Sequence, residues 1–278
     1  MTSTITEATR TPRRAGAALP RLSRRTLIAI EVIVPTLLIA AWWAASAGST
    51  DPFFPPLSAI LLRFRELWLF DHLLSDVVPS LANLFGGFIL GGLAGILVGI
   101  VLGLFAPMKW VFGPVIDFWR ALPAVALIPI FVSLMGFGNE TRVFAIVLAA
   151  FFPVVIATMD GVRALDPQLR DVSAVYRLTR SERLFRVYLP AAGPRIASGL
   201  QVSLQASFVV MVASEMLGSS LGIGAMTLIA QQSFAIPDMW AGIILLSVIG
   251  YATNLLFNIV RDRVLRWYVR SQKIGKES

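Results

Sequence analysis

The sequence predicts an all-α membrane protein with six transmembrane helices, and three observations support this. Of its 278 residues, 56% are hydrophobic and only 14% charged, whereas soluble domains carry about 25% charged residues. Six apolar stretches lie near 27–47, 81–105, 111–135, 142–162, 193–217 and 238–260. Each is long enough to cross about 30 Å of hydrocarbon as a helix, and no alternating short strands suggest a barrel. The third observation is where the positive charge falls. With the N-terminus inside, the cytoplasmic side receives Arg10, Arg13, Arg14, Arg21, Arg24, Arg25, Lys109 and the arginine-rich stretch 163–195. It also receives Arg261, Arg263, Arg266, Arg270, Lys273 and Lys276, while the outer side keeps Arg63, Arg65 and Arg142. Under the positive-inside rule both termini are therefore cytoplasmic.

The elements follow in order. Residues 1–26, rich in Thr, Arg and Ala, read as a disordered cytoplasmic tail. Residues 27–80 hold the first span and an external segment. Ala45-Ser46-Ala47 behind an arginine-rich run resembles a signal-peptide cleavage site. The apolar run from Leu27 exceeds a signal core, however, and Trp42-Trp43 suits an interfacial anchor, so a retained span is favoured. D-P-F-F-P-P (51–56) breaks structure, and 57–74 then reads as an amphipathic helix on the outer interface.

The membrane core covers 81–262. Its second span carries Gly87, Gly91, Gly95, Gly99 and Gly103, one glycine every fourth residue. They form one face that admits a close neighbour, either a helix of the same chain or the seam of a homodimer. Pro114, Pro123 and Pro129 kink or interrupt the third span. Broken helices at membrane depth are tolerated beside protein or a water-filled cavity, which favours a transport path. Loop 218–237, with Gly218, Gly222, Gly224 and Pro237, reads as a partly re-entrant outer segment, and 263–278 as a second cytoplasmic tail.

Polar groups within the spans are candidates for that path. Arg120 lies three residues after Asp117, so the two can pair on one helical face, either as a functional site or as an internal salt bridge. Gln201 and Gln205, with Ser203, Ser207 and Ser214 nearby, either line a polar cavity or bond between helices. Glu215, near the outer end, either binds a loop backbone or meets an external protein.

Several functions are excluded. The chain has no Cys, so disulfides and thiolate chemistry are absent. The single His72 leaves no histidine-based metal cluster or triad. The net charge of +8 sits at segment ends without interleaved aromatics, which argues against nucleic acid. The lone Gly-Lys pair, Gly275-Lys276, is followed by Glu277, so there is no phosphate loop and no ATP hydrolysis in this chain. No convergent catalytic groups suggest an enzyme.

The segment 163–192 is too charged for hydrocarbon but is patterned for folding. Asp166-Pro167 starts a helix through about Tyr176, with Asp166 as its cap. A second helix runs from about Ser181 toward Leu189, capped by Thr179 or Ser181, with Glu182 at its positive end. Pro190 leads into the fifth span. Two short helices meeting at an angle make a compact knob.

D-V-S-A-V-Y-R-L-T-R-S-E-R-L-F-R-V-Y-L-P (171–190) resembles the "EAA" loop of binding-protein-dependent ABC importer permeases. That pattern runs E-A-A, three residues, G, then a run ending in L-P. Asp171 stands at its Glu, Ser173 at its second Ala, Arg177 at its Gly, and Leu189-Pro190 close it. F-F-P-P-L-S-A-I-L (53–61), R-A-L-P-A-V-A-L-I-P-I-F (120–131), G-F-G-N-E-T (136–141), F-F-P-V-V-I-A-T-M-D-G-V (151–162) and V-A-S-E-M-L-G (212–218) are similar to the nitrate/sulfonate/taurine/bicarbonate branch. The likeness covers roughly residues 50–268.

The resemblance implies a type I importer-like permease in the bacterial inner membrane. Its loop, here Asp171, Val172, Ser173, Tyr176, Arg177, Leu178, Thr179, Arg180, Leu189 and Pro190, would dock in a groove on a cytoplasmic ATPase. The implied partners are a second copy of this chain, two ATPase subunits and an external solute-binding protein. ATP and Mg would sit on the ATPase, and this chain would need no cofactor. The solute would be a small anion such as a sulfonate, taurine or nitrate, with a pyrimidine-like heterocycle as the alternative. An ion-coupled secondary transporter is the rival from another class, but no inverted repeat supports it.

Arg177, Arg180, Arg183 and Arg186 recur every third position and suit acidic partner groups. Anionic lipid is the competing role. Two departures from the motif bear on geometry. If the turn needs φ > 0, Arg177 costs about 1 kcal/mol there, and Asp171 shortens the carboxylate arm by one methylene.

Overall fold

The computed structural model describes residues 24–268. The tail expected at 1–26 lies almost wholly outside them, as does most of that at 263–278. The described residues are helical, with no strand among them.

Helix α1 (Arg24–Ser46) is a lone apolar rod that meets the rest at its far end. There the Ser46 hydroxyl accepts the Leu57 N–H at 3.1 Å, tying it to α2 (Leu57–Glu66). The helix expected at 57–74 is helical from Leu57 through a π-helical turn at Leu67–Asp71. After a bend at His72 (φ −108°, ψ 4°), a second π-helical turn at Leu73–Val77 leads into α3 (Val78–Leu104). Pro79 lacks the N–H that the Ser75 carbonyl would take, and wide turns absorb that loss.

The predicted third span is two helices, α4 (Ala106–Ala121) and α5 (Ile128–Met135), joined by a 3₁₀ turn at Ala124–Leu127 and bent by 88°. Among the described residues five helices are long and apolar enough to be uninterrupted spans, and the bent pair is either a broken sixth or a re-entrant loop. Of the three prolines only Pro123 sits at the break. It holds Leu122 extended (φ −80°, ψ 125°), as the residue before proline prefers. Pro114 stays inside α4, and Pro129 falls in the first turn of α5, where a missing N–H costs nothing.

Helix α6 (Asn139–Arg163) is the central element. The five glycines of α3 face it within the same chain, each against every fourth residue of α6. A Cβ on Gly87 would lie 2.6 Å from Ile146 Cγ2. One on Gly91 would lie 2.7 Å from the Ala150 Cβ, and one on Gly95 2.9 Å from the Val154 Cβ. Gly99 meets Thr158 and Gly103 meets Val162 in the same way. Lipid tails supply no hydrophobic drive between helices, so close backbone approach and dispersion carry this interface.

The chain then enters α7 (Pro167–Val175) and α8 (Arg180–Arg183), and returns along α9 (Leu189–Gly218), which packs on the other side of α6. The expected outer segment contains a short buried helix, α10 (Ile223–Gln232), seated on α9 and α11 (Ile236–Val264). Arg63 on α2 forks onto the Asp238 carboxylate at 2.5 and 2.9 Å, locking α2 to the start of α11. That hydrogen-bonded carboxylate raises the Arg63 guanidinium well above its ordinary range.

Candidate functional site

Two regions carry polar groups in positions that packing alone does not require. The first is the hairpin between α6 and α9. Asp166 Oδ1 accepts the Gln168 N–H at 2.9 Å, so α7 starts at the cap read from the sequence. Its end is a Schellman turn: the Leu178 N–H reaches the Ser173 carbonyl at 3.2 Å, and the Arg177 N–H reaches that of Ala174 at 2.9 Å. This turn puts Arg177 at φ 50°. Arg177 thus adopts the left-handed conformation that favours glycine, and a β-carbon-bearing residue bears its strain.

Thr179, not Ser181, caps α8. Its hydroxyl oxygen accepts the Glu182 N–H at 3.3 Å, while Glu182 accepts the Thr179 N–H at 3.0 Å, a reciprocal capping box. Those bonds from Thr179 hold the Glu182 carboxyl below the usual carboxylate range. The second helix does not end at Leu189-Pro190, as the sequence suggested. It continues through a π-helical turn at Leu184–Tyr188 into α9, giving one helix over Arg180–Gly218. Pro190 cannot bond to the Arg186 carbonyl, and the widened turn accommodates it without a break.

The hairpin presents an apolar tip. Val175 and Tyr176 are 80% and 76% exposed, and Leu169, Val172 and Phe185 are exposed beside them. Asp171, Arg177, Thr179, Arg180 and Pro190 are exposed as well. Leu178, Leu184 and Leu189 are partly turned inward. Ser173 is buried and bonds the Arg170 carbonyl at 2.6 Å, so it holds the helix rather than offering a surface. Sequence reading missed Val175 and Phe185. Their signal was a large apolar residue inside a charged run. The base of the hairpin is tied by Arg163, which donates to the Leu102 carbonyl at 2.6 Å.

The second region is a cavity of about 660 Å³ opened by the break between α4 and α5. One wall is a stripe of α6 through Leu148, Phe152, Ile156 and Asp160, and another is a stripe of α9 through Arg195, Gly199, Val202 and Ala206. The break supplies the third, with Trp119 stacked on Phe152 at 5.6 Å and 10°. In this mostly apolar lining the charged residues are Arg120, Asp160 and Arg195. Arg195 donates to the backbone carbonyl of Asp160 at 3.0 Å.

Of the expected path residues only Arg120 lines this cavity; Gln201, Gln205 and Ser207 do not. Gln201 bonds Asn254 at 3.3 Å and accepts from Arg261 at 3.1 Å, so it joins α9 to α11. Gln205 is exposed, and Ser207 is buried among the helices. The expected Asp117–Arg120 ion pair is absent among the described residues. Helix α4 ends one residue beyond Arg120, and the break leaves that side chain on the cavity. Asp160 and Arg195 went unnoticed in the sequence because each lies at the end of an expected span, next to the arginine-rich stretch.

At the opposite end of the bundle Glu215 binds a loop backbone. It accepts the Gly224 N–H at 2.9 Å and the Ser80 hydroxyl at 2.5 Å. Asp76 accepts the Gly222 N–H at 2.7 Å, and Ser80 accepts that of Ile223 at 3.3 Å. Gly222 has φ 115°, and a Cβ there would lie 2.5 Å from Glu215 Cδ, so only glycine fits.

Residues 91–270 match the family model of the binding-protein-dependent transport system inner membrane component. The chain belongs to that family. It is a multi-pass inner-membrane permease subunit of an importer, and the family works with ATPase and binding-protein partners. The chain is 31% identical over 238 residues to the putative aliphatic sulfonates transport permease protein SsuC of Bacillus subtilis (strain 168), covering 85% of this chain and 86% of that protein. It is 27% identical to the taurine transport system permease protein TauC of Escherichia coli (strain K12), over 89% and 92% of the two chains. The bicarbonate transport system permease protein CmpB of Synechococcus elongatus is 28% identical over 88% of each.

The fold is similar to that in an inward-facing structure of the MetNI methionine ABC transporter. The TM-score is 0.60 at 19% identity, with 72% of this chain and 96% of that one covered. An amino acid ABC transporter structure gives 0.56 at 19% identity, over 78% and 99%.

Proposed function

We propose that the permease carries a small organic anion of the sulfonate class through the cavity beside the broken span, driven by an ATPase that grips the hairpin. One observation carries this reading: Arg120 and Arg195 face an apolar-walled cavity with no ion pair on either guanidinium among the described residues. Unpaired guanidiniums along a span are costly and mark an ion or solute path. The apolar walls suit an aliphatic body more than a bare inorganic anion. Relatives named for aliphatic sulfonates and taurine support the same class.

Coupling follows from continuity. The hairpin segment α8 and the cavity wall from Arg195 to Ala206 belong to one helix, so a pull on the first displaces the second. The exposed Val172, Val175 and Tyr176 fit an apolar groove, and the neighbouring arginines fit acidic groups at its rim. On this reading the hairpin and both termini lie in the cytoplasm, and ATP and Mg sit on the partner. A second copy of the chain completes the pathway. A flat heterocyclic solute is the second reading, favoured by the stacked Trp119 and Phe152.

The test is reconstitution of this chain with its ATPase and solute-binding protein in liposomes. ATP-dependent uptake of an alkanesulfonate, absent without ATP, is the expected result. Uptake of a pyrimidine and of no anion favours the second reading, and ATP-independent flux through this chain alone refutes the coupling.

A further inference from the structure

The cavity holds one charged group that an anion path does not need. Asp160 repels an anion, yet it stands on the same wall as the residues that would guide one. Its neighbour Arg195 is fixed by a neutral acceptor, the backbone carbonyl of Asp160 itself, at 3.0 Å. The two residues share the cavity lining and are opposite in charge, yet their side chains form no ion pair with each other or elsewhere among the described residues. A bond to a carbonyl orients a guanidinium without neutralising it, so the charge stays available to a solute. Directly above this charged mouth, one and two helical turns along α6, Ile156 and Phe152 make the wall apolar.

Resting on the anion reading above, we infer that Asp160 is a specificity-determining residue that sorts aminated from unaminated anions. An acid group on the solute meets Arg195, or Arg120 deeper along the path. An ammonium on the same solute meets the Asp160 carboxylate. A solute of both charges satisfies all of the charged lining, whereas a simple anion leaves Asp160 facing it unpaired. Such a site rejects the analogue lacking one group, because its own polar group is then left without a partner. The backbone carbonyl that holds Arg195 is retained whatever side chain stands at 160, so this role separates from the positioning of Arg195.

The experiment uses the complete reconstituted importer with one binding protein throughout, so that only the permease contribution changes. Initial uptake of 2-aminoethanesulfonate is compared with that of ethanesulfonate, which lacks only the amine. Asp160→Asn is expected to lower the aminated-to-unaminated ratio about tenfold, the effect of one lost charge-assisted contact, and Asp160→Glu to restore most of it. Asp160→Ser gives the same measurement should the amide variant fail to assemble. An unchanged ratio in variants that still transport overturns this inference while leaving the anion reading intact. Wild-type protein that takes up neither sulfonate overturns both.

Discussion

The two ends of the bundle treat their polar residues in opposite ways. At the α10 end, Asp76 and Glu215, each 1% exposed, turn inward and take the backbone amides of Gly222 and Gly224. At the hairpin end, Arg177 and Arg180 point outward, and an apolar tip of Val175 and Tyr176 accompanies them. Inward-turned charges complete the hydrogen bonding of a buried helix start, which would otherwise leave free N–H groups in a water-poor setting. Arg177 and Arg180 bond to no side chain among the described residues. The contrast separates a part that holds itself together from a part that, on the proposed coupling, meets another molecule.

Breaking the outward-facing end should give the largest effect. Tyr176→Asp, or charge reversal at Arg180, is expected to abolish co-purification of the ATPase while membrane insertion is unchanged. The inward-facing end should respond differently. Glu215→Ala leaves the Gly224 N–H and the Ser80 hydroxyl without a partner, at about 2–3 kcal/mol. The expected outcome is a lower thermal midpoint in detergent with ATPase binding retained. Loss of ATPase binding in this variant would show that the two ends are not independent.

Smaller changes test the hairpin's own folding. Thr179→Ala removes one half of the capping box and should cost about 1 kcal/mol, read as faster amide exchange over 179–183. Arg177→Gly should relieve the left-handed strain and slow exchange across the Schellman turn, a gain of about 0.5–1 kcal/mol. Weaker protection in the glycine variant would mean that the side chain of Arg177 contributes more than its backbone costs.

The spans were legible because hydrophobic length is set by bilayer thickness, and the caps because Asp166, Thr179 and Glu182 act on neighbours in sequence. The glycine periodicity of α3 announced a close partner, but not that α6 would supply it, since a homodimer seam uses the same face. The break in the third span was legible only as a set of three prolines. Which of them interrupts depends on where each falls relative to the first turn of a helix. The cavity was the least legible part. Asp160 and Arg195 are 35 residues apart and become neighbours only through the packing of α6 on α9. Gln201 looked equally suited to a path, but it faces α11 instead.

The helix from Arg180 to Gly218 is 39 residues long, or about 58 Å of continuous backbone. A rod of that length acts as a lever. A tilt of about 5° at one end carries the other end through about 5 Å, comparable to the rise of one helical turn. On the proposed coupling, opening and closing the passage would therefore need no unfolding along this element. A small rocking at the surface is magnified in proportion to distance along the rod.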